Sequence, residues 1–303
     1  MNAGLASTTN ATSNAVTDTP PVVISRGYWA TVFTRVLRDK VTVFCALILI
    51  GFVLMAIFAP LIAPKDPTAT SMLKRLAAIG SDGFLLGADE LGRDMLSRLI
   101  YGARLSLFIG IVPVVNAFLI GTLLGVLAGF LGGRVNTVIM RTIDVFFAFP
   151  SVLLAIAISG ALGAGIFNSI VSLTIVFIPP ITRVAESVTT QVRNLDFVEA
   201  ARASGANALT IIRVHILGNV LGPVFIYATS LMSVCMILAS GLSFLGLGTK
   251  PPAAEWGLML NTLRTAIYTN PWVAALPGVM IFTTSICFNM MSDGLRQAMD
   301  IKE

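Results

Sequence analysis

Few side chains in this sequence are able to do chemistry. There is one histidine, His215, and the three cysteines, Cys45, Cys235 and Cys287, lie far apart within apolar runs. No Cys-x-x-Cys or His/Cys spacing is present, so neither a zinc site nor a disulfide framework is expected. Gly246-Leu247-Gly248-Thr249-Lys250 ends somewhat like a phosphate loop, but it lacks the loop's spacing and the glycine before lysine. If ATP drives this protein, another chain is expected to bind it. The segment that stands out is Asn194-Leu195-Asp196-Phe197-Val198-Glu199-Ala200-Ala201-Arg202-Ala203-Ser204-Gly205. Asp196 followed three residues later by Glu199 reads as a capping-box start, and Gly205 as a C-terminal stop, which predicts a helix of about two turns. Phe197, Ala200, Ala201 and Ser204 fall on one face, a small-residue surface led by one aromatic. Asn207 is positioned to start a second helix through Ile212 and Ile216, with Arg213 near a membrane interface. A docking surface and a surface hairpin without a partner both fit this pattern.

The surrounding composition excludes an ordinary water-soluble enzyme. Of 303 residues 56% are hydrophobic and 12% charged, about half the charged share of a globular domain. The mean hydropathy is +0.88. A net charge of +5 suits anionic lipid headgroups and basic cytoplasmic loops better than a nucleic-acid groove. Residues 1–20 carry no Lys or Arg and are rich in Asn, Thr, Ser and Ala, a composition that reads as a disordered tail. No signal peptide is expected, because the first basic residue is Arg26.

Arg26, Arg35, Arg38 and Lys40 precede an uncharged run of 24 residues from Val41 to Pro64, followed by runs of 29 (Leu105 to Gly133), 38 (Val145 to Thr182), 36 (Val214 to Thr249) and 28 (Thr265 to Ser292). A helix needs about 20 residues to cross hydrocarbon. The 38-residue run divides at its glycine-rich Gly160 to Gly165, giving one helix to about Ser159 and another from Ile166 to Arg183. The 36-residue run reads as a helix from Val220 to Ser240, followed by a bent or re-entrant piece over Gly241 to Gly248. Six transmembrane helices result, with both termini cytoplasmic. Loops assigned inside carry twelve Lys and Arg against eight outside, a weak bias in the expected direction.

Charges near the spans are paired in sequence: Asp94 with Arg98, Arg141 with Asp144, and Arg183 with Glu186. Leu91, Met95 and Leu99 beside the first pair suggest a collar lying on the membrane surface, though a solvated loop fits equally. Gly121, Gly125, Gly129 and Gly133, four residues apart, leave one helix face bare for a close neighbour. An ion-coupled carrier normally places an acid within a span, and the uncharged runs hold none.

At Glu199-Ala200-Ala201 and Gly205 the sequence resembles the permease subunits of bacterial ABC importers. The segments Leu86-Gly87-Ala88-Asp89-Glu90-Leu91-Gly92-Arg93-Asp94, Leu96-Ser97-Arg98-Leu99-Ile100-Tyr101-Gly102-Ala103-Arg104, Leu242-Ser243-Phe244-Leu245-Gly246-Leu247-Gly248 and Ser292-Asp293-Gly294-Leu295-Arg296 narrow the resemblance. They look like the C-type permease of the oligopeptide, dipeptide and nickel importers. The resemblance implies an all-α polytopic membrane protein, a type I ABC importer permease with six transmembrane helices and a cytoplasmic coupling helix. It places that helix at Phe197, Glu199, Ala200, Ala201, Ser204 and Gly205, docked on an ATPase. Gly218 departs from the family, which usually has proline there, so the stiffness proline would lend to the return into the membrane is not expected.

The organisation so implied is a cytoplasmic tail (1–25), a basic segment with the first span (26–64), an extracytoplasmic or interfacial connection (65–104) and a permease core (105–303) with its coupling loop at 184–218. Implied partners are a second, homologous permease, two cytoplasmic ATPase subunits or domains that hold ATP and Mg, an extracytoplasmic binding protein, and lipid of the bacterial inner membrane. The chain itself would hold no cofactor or metal and catalyse nothing. Peptide is the expected cargo, nickel or another small solute the alternative within the family, and an ion-coupled carrier or a scaffold the alternatives outside it. No motif marks residues that touch the cargo.

Overall fold

The computed structural model describes residues 28–81 and 83–299; the expected tail at 1–25 and Arg26 lie outside them. Every regular element among the described residues is helical. A short amphipathic helix, α1 (Tyr28–Arg38), leads into α2 (Lys40–Ile57), whose N-terminus is capped by the Asp39 carboxylate through the amides of Val41 and Thr42. The chain breaks at Phe58, and a single turn, α3 (Ala59–Ile62), follows with Pro60 in its first turn. An irregular segment then precedes α4 (Met95–Leu131), α5 (Gly133–Phe147), α6 (Ser151–Leu162) and α7 (Ile166–Arg193). Beyond them lie α8 (Asp196–Ala203), α9 (Ala208–Thr210), α10 (Leu217–Phe244), α11 (Trp256–Thr262) and α12 (Pro271–Met299).

Five helices among the described residues are long and apolar enough to cross a membrane; α5 and α6 make a sixth span if they act as one, bent by 90°. The bend falls at Pro150, whose ring cannot continue a helix begun before it. The second span starts ten residues earlier than its uncharged run. Asp94 caps it, accepting from the Ser97 amide at 2.8 Å and the Ser97 hydroxyl at 2.7 Å. Residues 208–244 form one helical segment through a wide turn at Ile211–Ile216, where a separate cytoplasmic helix and a span from Val220 were expected. The Gly218 departure sits inside it and leaves the helix unbroken.

The expected re-entrant piece is shifted as well. Helix α10 runs on to Phe244 and ends with Gly246 at φ +81°, where the amides of Gly246 and Leu247 return to the carbonyls of Ser243 and Leu242. The short helix folded back into the protein is α11. Its Trp256 is fully buried against the start of α4 and donates to the Leu99 carbonyl at 3.0 Å. Gly102 makes room for that indole, since a Cβ there would lie 2.9 Å from the ring.

Two apolar clusters result. One joins α4, α6, α7 and α10 through Val114, Ala155, Leu173 and Val224; the other joins α2, α11, α12 and the start of α4 through Leu49, Met95, Trp256 and Val273. At 37 residues α4 is about 55 Å long, roughly twice α2 at about 27 Å. Arg104 donates to the Ala56 carbonyl at the last turn of α2, so α4 overhangs α2 at both ends.

The overhang at the start of α4 corrects the surface-collar reading. Arg98 pairs with Asp89 at 3.1 Å, not with Asp94, and Arg93 binds the same carboxylate at 2.6 Å. Asp89, Arg93, Asp94 and Arg98 are each at most 4% exposed, and Met95 and Leu99 face the core. The charged motif is a buried buckle. It closes the segment before α4, with Arg98 also reaching the carbonyls of Pro67 and Ala253.

Candidate functional site

At the opposite overhang α4 and α7 are pressed together. Gly121, Gly125 and Gly129 meet Ile181, Ala185 and Thr189, and a Cβ on Gly125 would lie 2.5 Å from the Ala185 Cβ and 2.6 Å from the Thr182 carbonyl. Three of the four spaced glycines therefore serve close approach. Gly133, with nothing within 4 Å and φ +49°, instead shapes the turn into α5.

This pair forms a stem that carries α8 at its foot. The Asp196 capping box is not formed: Leu195 is the N-cap residue, without a side-chain bond, and Asp196 is the first helical residue. Its carboxylate and that of Glu199 still complement the positive helix start, as Arg202 does the negative end. The stop is as expected. Gly205 takes φ +83°, and the amides of Gly205 and Ala206 bond the carbonyls of Arg202 and Ala201.

Of the residues assigned to docking, Phe197, Glu199, Ala200, Ser204 and Gly205 are exposed. Phe197 is 42% exposed and its ring centroid lies 6.0 Å from that of His215, which steadies the aromatic without covering it. Ala201 is turned the other way, half-buried against the core beside the fully buried Val198. The helix thus has an anchoring face, Val198 and Ala201, and an exposed outward face. Sequence reading places Ala201 on the outward face; its i,i+3 spacing from Val198 is the signal that could have found the anchor. Leu195 and Leu209, 47% and 73% exposed, extend the outward apolar surface.

On the stem the expected Arg141–Asp144 pair forms, whereas Arg183 takes a partner other than its sequence neighbour Glu186. Asp144 accepts from Arg183 at 2.6 Å, closer than Arg141 at 3.7 Å, and the Arg183 guanidinium lies 4.4 Å from the Phe147 ring centroid. Glu186 binds Asn136 and Thr190 instead of Arg183. Among the described residues no group of three or more His, Cys, Asp or Glu could hold a metal. What this arrangement offers is a closely packed stem ending in an exposed helix.

The sequence matches two family descriptions: "binding-protein-dependent transport system inner membrane component" over residues 121–301, and "N-terminal TM domain of oligopeptide transport permease C" over residues 27–78. It is 43% identical over 265 residues, 84% of this chain and 86% of the relative, to the di/tripeptide transport system permease protein DppC of Pseudomonas aeruginosa. It is 38% identical to the dipeptide permease DppC of Alkalihalophilus pseudofirmus, over 90% of each chain. The glutathione transport system permease protein GsiD of Pectobacterium atrosepticum is 39% identical, over 90% of this chain and 91% of the relative. In fold, 67% of the chain superposes on 97% of a chain from the inward-facing MetNI methionine ABC transporter, with a TM-score of 0.56 at 20% identity. The chain therefore belongs to the family of binding-protein-dependent transport system inner membrane components, as a multi-pass permease subunit of the ABC importer type.

Proposed function

We propose that this chain forms half of the pathway of an ATP-driven peptide importer in the bacterial inner membrane, and that α8 is the helix through which ATPase subunits drive it. The observation that carries the docking role is the division of α8 into a buried anchor, Val198, and an outward face of Phe197, Glu199, Ala200, Ser204 and Gly205 at the foot of the stem. Small residues there let a partner surface approach closely, and Phe197 supplies apolar area for a pocket. On this reading α8 and both termini lie in the cytoplasm, within the coupling loop 184–218 of a permease core at 105–303, and the buckle at 65–104 faces the other side. ATP and Mg belong to the ATPase subunits, a homologous permease completes the pathway, and a binding protein delivers cargo. The relatives are named as di/tripeptide, dipeptide and glutathione permeases, which favours short peptides over nickel. An inward- and an outward-facing state interconvert because ATPase and binding protein each bind one of them better.

The test is uptake and ATP hydrolysis by the complex reconstituted with its partners, supplied with di- and tripeptides or with nickel. Glu199→Lys and Gly205→Trp are expected to weaken ATPase co-purification and abolish peptide uptake while the chain still inserts. Normal uptake in both would overturn the docking role; stimulation by nickel alone would overturn the cargo.

A further inference from the structure

The last turn of α4 ends in carbonyls that no helical amide can reach. Gly132 takes φ +67° and turns the chain into α5, and its amide bonds back to Ala128 O. Two side chains from elsewhere complete the end. The Asn136 amide donates to Ala128 O at 3.3 Å and to Glu186 Oε1 at 2.6 Å, which joins α4, α5 and α7. Arg193 Nη1 donates to Gly129 O at 3.0 Å and Phe130 O at 3.1 Å. A guanidinium at a helix C-terminus meets the negative end of the helix dipole, so these bonds are reinforced by charge.

Arg193 is the last residue of α7, three before the start of α8. The side chain that finishes α7 therefore also finishes α4. Gly132 admits it, because a Cβ there would lie 2.8 Å from Arg193 Nη1. From within α8 itself, the Arg202 guanidinium lies 5.6 Å from the ring centroid of Phe130. The glycine-lined contact of α4 with α7 continues directly into this clasp.

We propose that Arg193 and Asn136 are positioning residues for coupling: they clasp the end of α4 to α7, so that a displacement of α8 moves both long helices as one body. The proposal rests on the reading of α8 as the ATPase-docking helix. Helix α7 is joined to α8 by the chain, whereas the end of α4, beyond its glycine-lined contact with α7, follows through these polar bonds and the Arg202 contact. Without the clasp a pull on α8 would be absorbed by fraying at the last turn of α7, and hydrolysis would proceed with less movement of α4.

The experiment measures peptide uptake and ATP hydrolysis in parallel in the reconstituted complex, with co-purification of the ATPase subunits as a third readout. Arg193→Met keeps the aliphatic bulk and removes the charge and donors. It is expected to leave co-purification unchanged and to lower uptake per ATP about tenfold, the scale of lost bonds to a charged group. Arg193→Lys should recover part of that loss, and Asn136→Ala should act in the same direction with a smaller effect. Wild-type uptake per ATP in Arg193→Met overturns the clasp. So does loss of ATPase co-purification, since Arg193 would then belong to the docking surface. Should Arg193→Met fail to insert, Asn136→Ala carries the same two readings. Failure of the docking reading is separately visible as wild-type ATPase association in Gly205→Trp.

Discussion

The two overhanging ends of α4 treat charge in opposite ways. At its start Asp89 accepts from Arg93 and pairs with Arg98 while Asp94 caps the helix, all of them shielded from solvent by the chain. At its other end Asp196, Glu199, Arg202 and Arg213 remain exposed, and α8 is held by Val198 and by the tie through Arg193. A buried ion pair is costly to break and hard to rearrange, whereas an exposed charge is free to meet a partner. The first end is thus closed by its own residues, and the second is left exposed.

That contrast can be broken by experiment. The largest effect is expected from Asp89→Asn, which leaves Arg93 and Arg98 without their shared carboxylate and should cost about 3–5 kcal/mol. A melting temperature of the solubilised chain equal to wild type would remove the distinction between the ends. Next comes Gly125→Val in the stem, whose added atoms would meet the Ala185 side chain and the Thr182 carbonyl; a loss of about 1–3 kcal/mol is expected from such overpacking. Thermal melts would sharpen the comparison by showing that the stem, unlike α8, is internally packed.

A smaller effect concerns Glu255, which caps α11 through the amides of Gly257 and Leu258 and accepts from the Ser106 hydroxyl. Burial pushes its carboxyl above the usual glutamate range, against the lowering by those two amides. A folded-state pKa above the unfolded value of about 4.3 gives a stability term that is complete below that pH and is lost as pH rises through the folded value. The wild-type melting temperature, measured relative to Glu255→Gln, should therefore fall as pH is raised from about 4; a flat difference would refute the burial argument. Smallest of all, Glu199→Lys on the exposed face should change stability by no more than about 0.5 kcal/mol, even though the effect proposed for it on ATPase association is large. A stability loss comparable to that of Asp89→Asn would show that α8 belongs to the packed body of the chain.

Much of this molecule was legible in order along the chain. Uncharged runs located the spans because lipid leaves no alternative to helices with internally bonded backbones. Ile166 after its glycine-rich break, and Gly205 at the end of α8, follow from backbone preferences that act locally. The Glu199-Ala200-Ala201 and Gly205 pattern marked the exposed helix, since a short amphipathic segment carries its own periodicity. Tertiary structure decided what each charge meets. Arg98 chose Asp89 over Asp94, Arg183 chose Asp144 over Glu186, and Arg193 reached carbonyls more than sixty positions away. It also turned Ala201 inward and brought Trp256 onto the start of α4. Sequence spacing records which side chains share one helix face, whereas pairing between helices depends on how the backbones approach; here the bare glycine face of α4 admits α7, and α7 brings Arg193 to the end of α4.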